Sequence, residues 1–170
     1  MRRVSGNKEV ALVELTNPVK GLWRVRFDVQ IADDGSATYM EMQFEHKPTI
    51  EEIKYLVIGY YNSEIDRKIL CGFEYDGMAV WLSSENQFNY KAAFDLAMQT
   101  EGATLPVMFK FGTDEDPTYR EFVTLEEFID FYQKSMRYVQ TTLQEGWKKK
   151  DSFDWKSYEE LLTDREVGAG

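Results

Sequence analysis

The sequence predicts an α+β protein made of three successive antiparallel β-hairpin-then-helix (ββα) units, with a long third helix, a short N-terminal strand and a short C-terminal helix. Paired segments in which large apolar and charged residues alternate are typical of half-buried strands. Turn-forming residues join the two segments of each pair. A Ser/Thr-x-x-Glu/Gln capping box, which marks the start of a helix, follows each pair.

In the first unit, the strands are expected at residues 22–29 and 39–44. Gly35 lies in the turn between them, where a residue that readily adopts a positive φ is favoured. Thr49 and Glu52 form the capping box. The threonine hydroxyl accepts a hydrogen bond from the Glu52 amide, and the Glu52 carboxylate returns to the Thr49 amide.

In the second unit, residues 69–75 and 78–82 are predicted strands, joined at Asp76-Gly77, a strong hairpin signal. Ser84 is the expected cap of the helix that follows, and Gly102 is a natural C-terminal stop. The apolar positions of this helix are Phe88, Ala92 and Leu96.

In the third unit, residues 105–111 and 119–123 are predicted strands, and Thr124 caps the longest helix of the chain. Apolar residues recur every three or four positions along that helix, and Gly146 is expected to weaken its end. These positions are Leu125, Phe128, Ile129, Tyr132, Met136, Val139, Leu143 and Trp147. A final short helix is predicted from the spacing of Trp155, Tyr158, Leu161 and Leu162.

The composition argues against several classes of protein. A length of 170 residues suits one domain, or a domain with an added arm, and 43% hydrophobic residues supply a core. The formal net charge of −10 disfavours direct binding to nucleic acid, which needs clustered Lys and Arg to neutralise phosphates. No apolar run reaches the length of about 18 residues that a membrane span needs, and residues 1–6 lack a signal-peptide hydrophobic region. We therefore expect a soluble protein without a membrane span.

No catalytic constellation is recognisable in the sequence. The single cysteine, Cys71, lies in an apolar run that favours a buried small hydrophobe, and nothing near the single histidine, His46, suggests a triad. The acidic run Asp114-Glu115-Asp116 is followed by Pro117, which favours a solvated turn over a calcium loop. We therefore predict no enzyme, no metal site and no cofactor. Because the two carboxylates of a glycosidase have no sequence signature, a hydrolase stays open as an alternative.

Three motifs occur in order between residues 69 and 154. A strand pair ends in MAVWLSSENQ at residues 78–87, a strand reads LPVMFKF at 105–111, and FVTLEEF at 122–128 opens the long helix, which closes in Gly146-Trp147. In these motifs the sequence resembles an uncharacterised domain family of tailed bacteriophages and prophages, whose genes neighbour, or form part of, tail-fibre and tail-adaptor genes. That family has no established catalytic residues, so none is carried over.

The resemblance implies a virion structural protein of the phage tail, as a hub, baseplate or fibre-adaptor component. Such a protein is synthesised in the host cytoplasm and docks non-covalently to other phage tail proteins, in multiple copies per particle. Two alternatives stay open. One is a cytoplasmic assembly chaperone for tail fibres, and the other is a glycan-binding module or small hydrolase.

The predicted organisation is an N-terminal arm or strand (1–18), a first ββα unit (19–67), the tail-associated domain (68–165) and a flexible tail (166–170). A short strand at residues 10–15 is expected to add to the sheet edge of a neighbouring tail protein, unless it pairs within its own sheet. Aromatic residues favour protein interfaces, as do exposed apolar strand positions. The predicted interface residues are Val10, Leu12, Trp23, Tyr39 and Tyr61.

Overall fold

The computed structural model describes residues 1–113 and 115–163, and it confirms the α+β class. The strands are β1 (Arg2–Asn7), β2 (Val13–Asn17), β3 (Leu22–Ile31), β4 (Ser36–Phe44), β5 (Phe73–Tyr75), β6 (Met78–Val80), β7 (Val107–Gly112) and β8 (Pro117–Phe122). The helices are α1 (Ile50–Cys71), α2 (Ser84–Gln99), α3 (Leu125–Asp151) and α4 (Trp155–Thr163). A hairpin followed by a helix thus occurs three times, and the first hairpin lies inside a four-stranded sheet of order β1-β4-β3-β2.

The chain divides into two compact units. Unit 1 comprises Met1–Tyr60 with Ser152–Gly170, and unit 2 comprises Tyr61–Asp151, so that α1 contributes to both. This division differs from the predicted boundaries after residues 18 and 67. The predicted tail, residues 166–170, lies outside the described residues.

The N-terminal residues form the two edge strands of the sheet in unit 1. β1 pairs antiparallel with β4, with Val4 opposite Tyr39, and β2 pairs antiparallel with β3, with Val13 opposite Val25. The strand predicted at residues 10–15 corresponds to β2, which runs from Val13 to Asn17. A free docking arm is wrong, because each of the two strands already pairs along one side within this sheet.

One face of the sheet carries the core of unit 1. Trp23, Val25 and Phe27 alternate along β3 and are at most 8% exposed. α1 adds Ile53, which is fully buried. The hydroxyl of Tyr158, in α4, donates a hydrogen bond of 2.7 Å to the main-chain carbonyl of Arg26 in β3. This bond attaches the final helix to the sheet of unit 1.

α1 extends further than predicted. The residues expected to begin a strand at Ile69 are helical as far as Cys71, which is exposed rather than buried. The helix ends at Gly72, whose amide donates to the Lys68 carbonyl at 2.8 Å, and the Tyr138 hydroxyl donates to the same carbonyl at 2.9 Å. A Cβ on Gly72 would lie 2.3 Å from that hydroxyl oxygen, so this close approach requires glycine.

The core of unit 2 consists largely of aromatic rings. Phe111, Phe122, Phe128 and Phe131 are at most 1% exposed, and Tyr90 packs edge-on against Phe131 with ring centroids 5.1 Å apart. The predicted core position of Phe128 is therefore confirmed. Edge-to-face aromatic pairs add stabilisation beyond that of the buried area.

Two of the three predicted helix caps are confirmed. Thr49 and Glu52 exchange hydrogen bonds of 2.8 and 3.2 Å, and Thr124 accepts from the amide three residues later at 3.3 Å. In α2, however, the cap is Ser83 rather than Ser84, since the Ser83 hydroxyl accepts from the amide three residues later at 3.2 Å.

The buried face of α3 is rotated by about one residue from the face that its apolar pattern predicts. Its buried residues are Phe128, Phe131, Ser135, Thr142 and Gly146. Trp147, predicted to lie on the apolar face, is 51% exposed. The helix continues past Gly146 to Asp151. A Cβ at this position would lie 2.2 Å from Cδ1 of Ile65, so the missing side chain makes room for α1.

Candidate docking surfaces

The predicted interface residues are mostly interior. Trp23, Tyr39 and Tyr61 are 8, 7 and 9% exposed, so they belong to the packed interior and cannot contact a partner without rearrangement. Val10 and Leu12 are half-buried. The structure does not bring these five residues together as an exposed surface.

Tyr39 lies beside an ion-pair network on the outer face of the sheet in unit 1, where the Arg26 guanidinium is 5.7 Å from the centroid of the Tyr39 ring. Arg26, from β3, donates from Nε to the Glu41 carboxylate at 2.9 Å and lies 2.8 Å from the Glu14 carboxylate. It also donates to the Ala11 carbonyl at 2.7 Å, which holds the β1–β2 connection against the sheet. Burial alone would lower the pKa of Arg26, but hydrogen bonds and charges from the two carboxylates offset this effect and raise it.

A second polar cluster fastens β1 in place. β3 bulges at Asp28, whose φ of 50° lies in a region that non-glycine residues rarely adopt. The Arg3 guanidinium binds the Asp28 carboxylate and donates to the Tyr60 hydroxyl at 3.0 Å, and that hydroxyl donates to the same carboxylate at 3.1 Å. Burial raises the pKa of Tyr60, so its hydroxyl keeps the proton that it donates.

The cysteine and the histidine each have a local partner. Cys71, in unit 2, donates from Sγ to the Arg67 carbonyl at 3.0 Å. His46, in unit 1, lies 2.8 Å from the Glu52 carboxylate, which also caps α1. The backbone amide of the cap, followed by the imidazole, lowers the pKa of Glu52.

Within residues 1–113 and 115–163, no group of three or more His, Cys, Asp or Glu side chains is arranged to hold a metal ion. Asp114, from the acidic run considered as a cation loop, lies outside the described residues. No helix in the described part of the chain has the length and apolar content needed to cross a membrane.

One exposed apolar row in unit 2 runs along α2. Phe88 is 70% exposed and Leu96 50% exposed, and Ala92 between them is also exposed. Residues spaced by four lie on one face of a helix, so the three side chains form a continuous row. The row predicted to lie in the core therefore faces solvent, while Tyr90 and Ala97 are buried instead.

A second exposed apolar surface lies on the β7–β8 hairpin. Met108 and Tyr119 are 63 and 64% exposed, and Val123, just after β8, is 59% exposed. Lys110 and Glu121 lie on the same face of the hairpin, opposite Tyr119 and Met108, and are also exposed. The opposite face of this hairpin carries Phe109, Phe111 and Phe122 into the aromatic core, so the exposed residues stand on a rigid support.

Both compact units carry a net negative formal charge. Residues 1–60 and 152–170, which form unit 1, contain ten basic and fourteen acidic side chains, and residues 61–151, which form unit 2, contain ten basic and sixteen acidic side chains. The exposed apolar residues of unit 2 are thus set in an acidic segment. Such a setting opposes unspecific self-association and favours recognition of a defined partner.

Comparisons with known proteins gave no match for this chain among protein-family models, curated proteins or solved structures. The candidate surfaces therefore rest on the geometry of the described residues.

Proposed function

We propose that this chain is a non-catalytic structural component of a bacteriophage tail, which acts by docking to other tail proteins through the exposed apolar residues of unit 2. The observation that carries the proposal is the row of Phe88, Ala92 and Leu96 along α2. Monomeric soluble proteins rarely expose large contiguous apolar patches unless these serve binding. Burying one such large side chain at an interface contributes about 1.5–3 kcal/mol.

The extent of the compact units supports the same proposal. The motifs that resemble the phage tail-associated family span residues 69–154, and unit 2 spans Tyr61–Asp151. The resembling segment thus coincides closely with a unit that has its own aromatic core. This agreement favours an independently folded docking module, present in multiple copies in the tail after synthesis in the host cytoplasm.

The way in which the ionisable side chains are engaged favours docking over catalysis. Cys71 in unit 2 and His46 in unit 1 each make a local hydrogen bond, and Glu52 caps α1. Rigid elements instead present large apolar side chains, as expected for an interface anchor.

Phe88→Gln tests this function, with Tyr55→Gln as the matched control. Tyr55 is an exposed aromatic residue of α1, in unit 1, with 86% of its surface accessible. Glutamine is a good helix former, so neither change should lower the melting temperature noticeably. Particles assembled with each variant are purified, and the protein is quantified by mass spectrometry. We expect Phe88→Gln to reduce incorporation and Tyr55→Gln to leave it unchanged. Full incorporation of Phe88→Gln would contradict the proposed surface.

A further inference from the structure

The two edges of the four-stranded sheet in unit 1 are unlike each other. β2 has an irregular register between Leu15 and Asn17, is followed by Pro18, and packs against α4. These features are typical of an edge protected from pairing. β1 has no proline, its six residues pair with β4 without interruption, and all except Val4 are exposed. Within the described residues, β1 therefore presents an open edge of regular strand.

The open edge is held rigidly. Arg3 binds the Asp28 carboxylate, donates to the Tyr60 hydroxyl at 3.0 Å and donates to the Thr38 hydroxyl at 3.2 Å, so that β1 is joined by side chains to β3, α1 and β4. A strand fixed in this way loses little conformational freedom when another strand adds to it. Such preorganisation favours binding.

The basic side chains of this edge favour a partner strand with acidic side chains. Residues 2–8 contain three basic side chains and no acidic one. Asp28 neutralises Arg3, whereas Lys8 is exposed and the Arg2 side chain is 74% exposed at 3.6 Å from Glu41. Antiparallel pairing of two β1 strands centred on Ser5 would place Arg2 of each copy opposite Lys8 of the other, which is unfavourable. The edge therefore disfavours a second copy and favours an acidic strand.

We propose that the open edge of β1 accepts an extended segment of another tail protein as a fifth strand, with acidic side chains near Arg2 and Lys8. Main-chain hydrogen bonds supply affinity in this mode of recognition, and the side chains supply specificity. The proposal deepens the proposed function and rests on it, because it names a class of partner segment for a tail component. It uses unit 1, whereas the apolar row of α2 belongs to unit 2.

A photo-crosslinking amino acid at Ser5, an exposed residue of β1, tests the proposal in assembled particles. After irradiation, mass spectrometry of the purified particles identifies the crosslinked peptide. We expect one extended segment of another tail protein that contains several Asp or Glu residues. A crosslink to a helix, to a segment without acidic residues or to a second copy of this chain would overturn the proposal. So would the lack of any crosslink in particles that contain the protein.

Charge variants separate this proposal from the proposed function. The double variant Arg2→Gln, Lys8→Gln removes the two exposed charges of the edge, and Lys20→Gln, Lys156→Gln removes two exposed charges elsewhere in unit 1. We expect the first to lower incorporation on the order of tenfold, as for the loss of two partly screened ion pairs, and the second to leave it unchanged. Equal incorporation of the two overturns the edge proposal alone. If the wild-type protein is itself missing from the particles, the proposed function fails.

Proline substitutions at Val4 and Ser5 supply a test that does not depend on charge. Successive amides of an edge strand point alternately toward its neighbour and away from it. One of the two variants therefore loses a hydrogen bond within the sheet, and the other loses only a donor on the open edge. We expect the variant that keeps the wild-type melting temperature to lose incorporation. Normal incorporation of that folded variant would overturn the proposal.

Discussion

Replacing Gly146 by alanine sets helix propensity against packing. Alanine is more favourable than glycine inside a helix by about 0.5–1 kcal/mol. The new methyl group would, however, lie 2.2 Å from Cδ1 and 2.3 Å from Cγ1 of Ile65. Ile65 is only 7% exposed, so it has little room to turn away. Overpacking of this kind costs about 1–3 kcal/mol. The packing cost exceeds the gain, and we expect Gly146→Ala to lower the free energy of unfolding by about 1 kcal/mol.

The same substitution should have the opposite effect in an Ile65→Ala background. Truncation of Ile65 costs about 2–5 kcal/mol by itself, but it removes both clashing atoms. The remaining Cβ of residue 65 lies 3.7 Å from the new methyl group, which is ordinary van der Waals contact. In this background the higher helix propensity of alanine is the only remaining effect of the substitution. Gly146→Ala should therefore raise the stability of Ile65→Ala by about 0.5–1 kcal/mol.

Urea unfolding of the four proteins, followed by circular dichroism, measures this cycle. The two effects of Gly146→Ala should differ by about 2 kcal/mol in free energy, with an unchanged dependence on urea concentration. If Gly146→Ala stabilises both backgrounds equally, Gly146 is not needed for close packing against Ile65 and the reasoning is refuted.

Three further predictions concern a buried ion pair, a cap and alkaline stability. Glu41→Gln should destabilise by about 1.5–3 kcal/mol in urea unfolding, because Arg26 keeps Glu14 as a partner but loses its charge-assisted hydrogen bond to Glu41, whereas exposed Glu45→Gln should have little effect. Ser83→Ala should cost about 1 kcal/mol and Ser84→Ala almost nothing, and equal losses would contradict the cap position. Burial raises the pKa of Tyr90 to about 12. Its contribution to stability is therefore fully present below about pH 10, the pKa in the unfolded chain, and is lost as the pH rises toward 12. Tyr90→Phe should make the loss of stability in this range smaller, as measured by urea unfolding at a series of pH values.

Features set by neighbouring residues were predictable from the sequence. The turn at Gly35, the hairpin at Asp76-Gly77 and the caps at Thr49 and Thr124 each depend on the chemistry of a few consecutive residues. β1 was missed because its sequence shows no clear alternation of apolar and polar residues. Its pairing with β4 depends on contacts distant in sequence, which local propensity does not report.

The candidate surfaces were harder to predict than the fold. α2 has apolar residues on more than one face, so its periodicity does not decide whether Phe88 or Tyr90 lies in the core. Tyr39 reads as an exposed interface residue because it alternates with core-facing positions. It is buried beside Gly6 of β1 and the Arg26 guanidinium, and these contacts depend on the pairing of β1 with β4, which has no local sequence signature.

The copy number of this protein in purified phage tails tests the central claim most directly. Quantitative mass spectrometry of particles, freed of unassembled protein by gradient centrifugation, gives the ratio of this chain to tail proteins of known copy number. A structural component in multiple copies predicts a constant copy number per particle, above one, that survives high-salt washing. Presence in the infected-cell lysate with absence from finished particles would contradict it and would favour a cytoplasmic assembly chaperone.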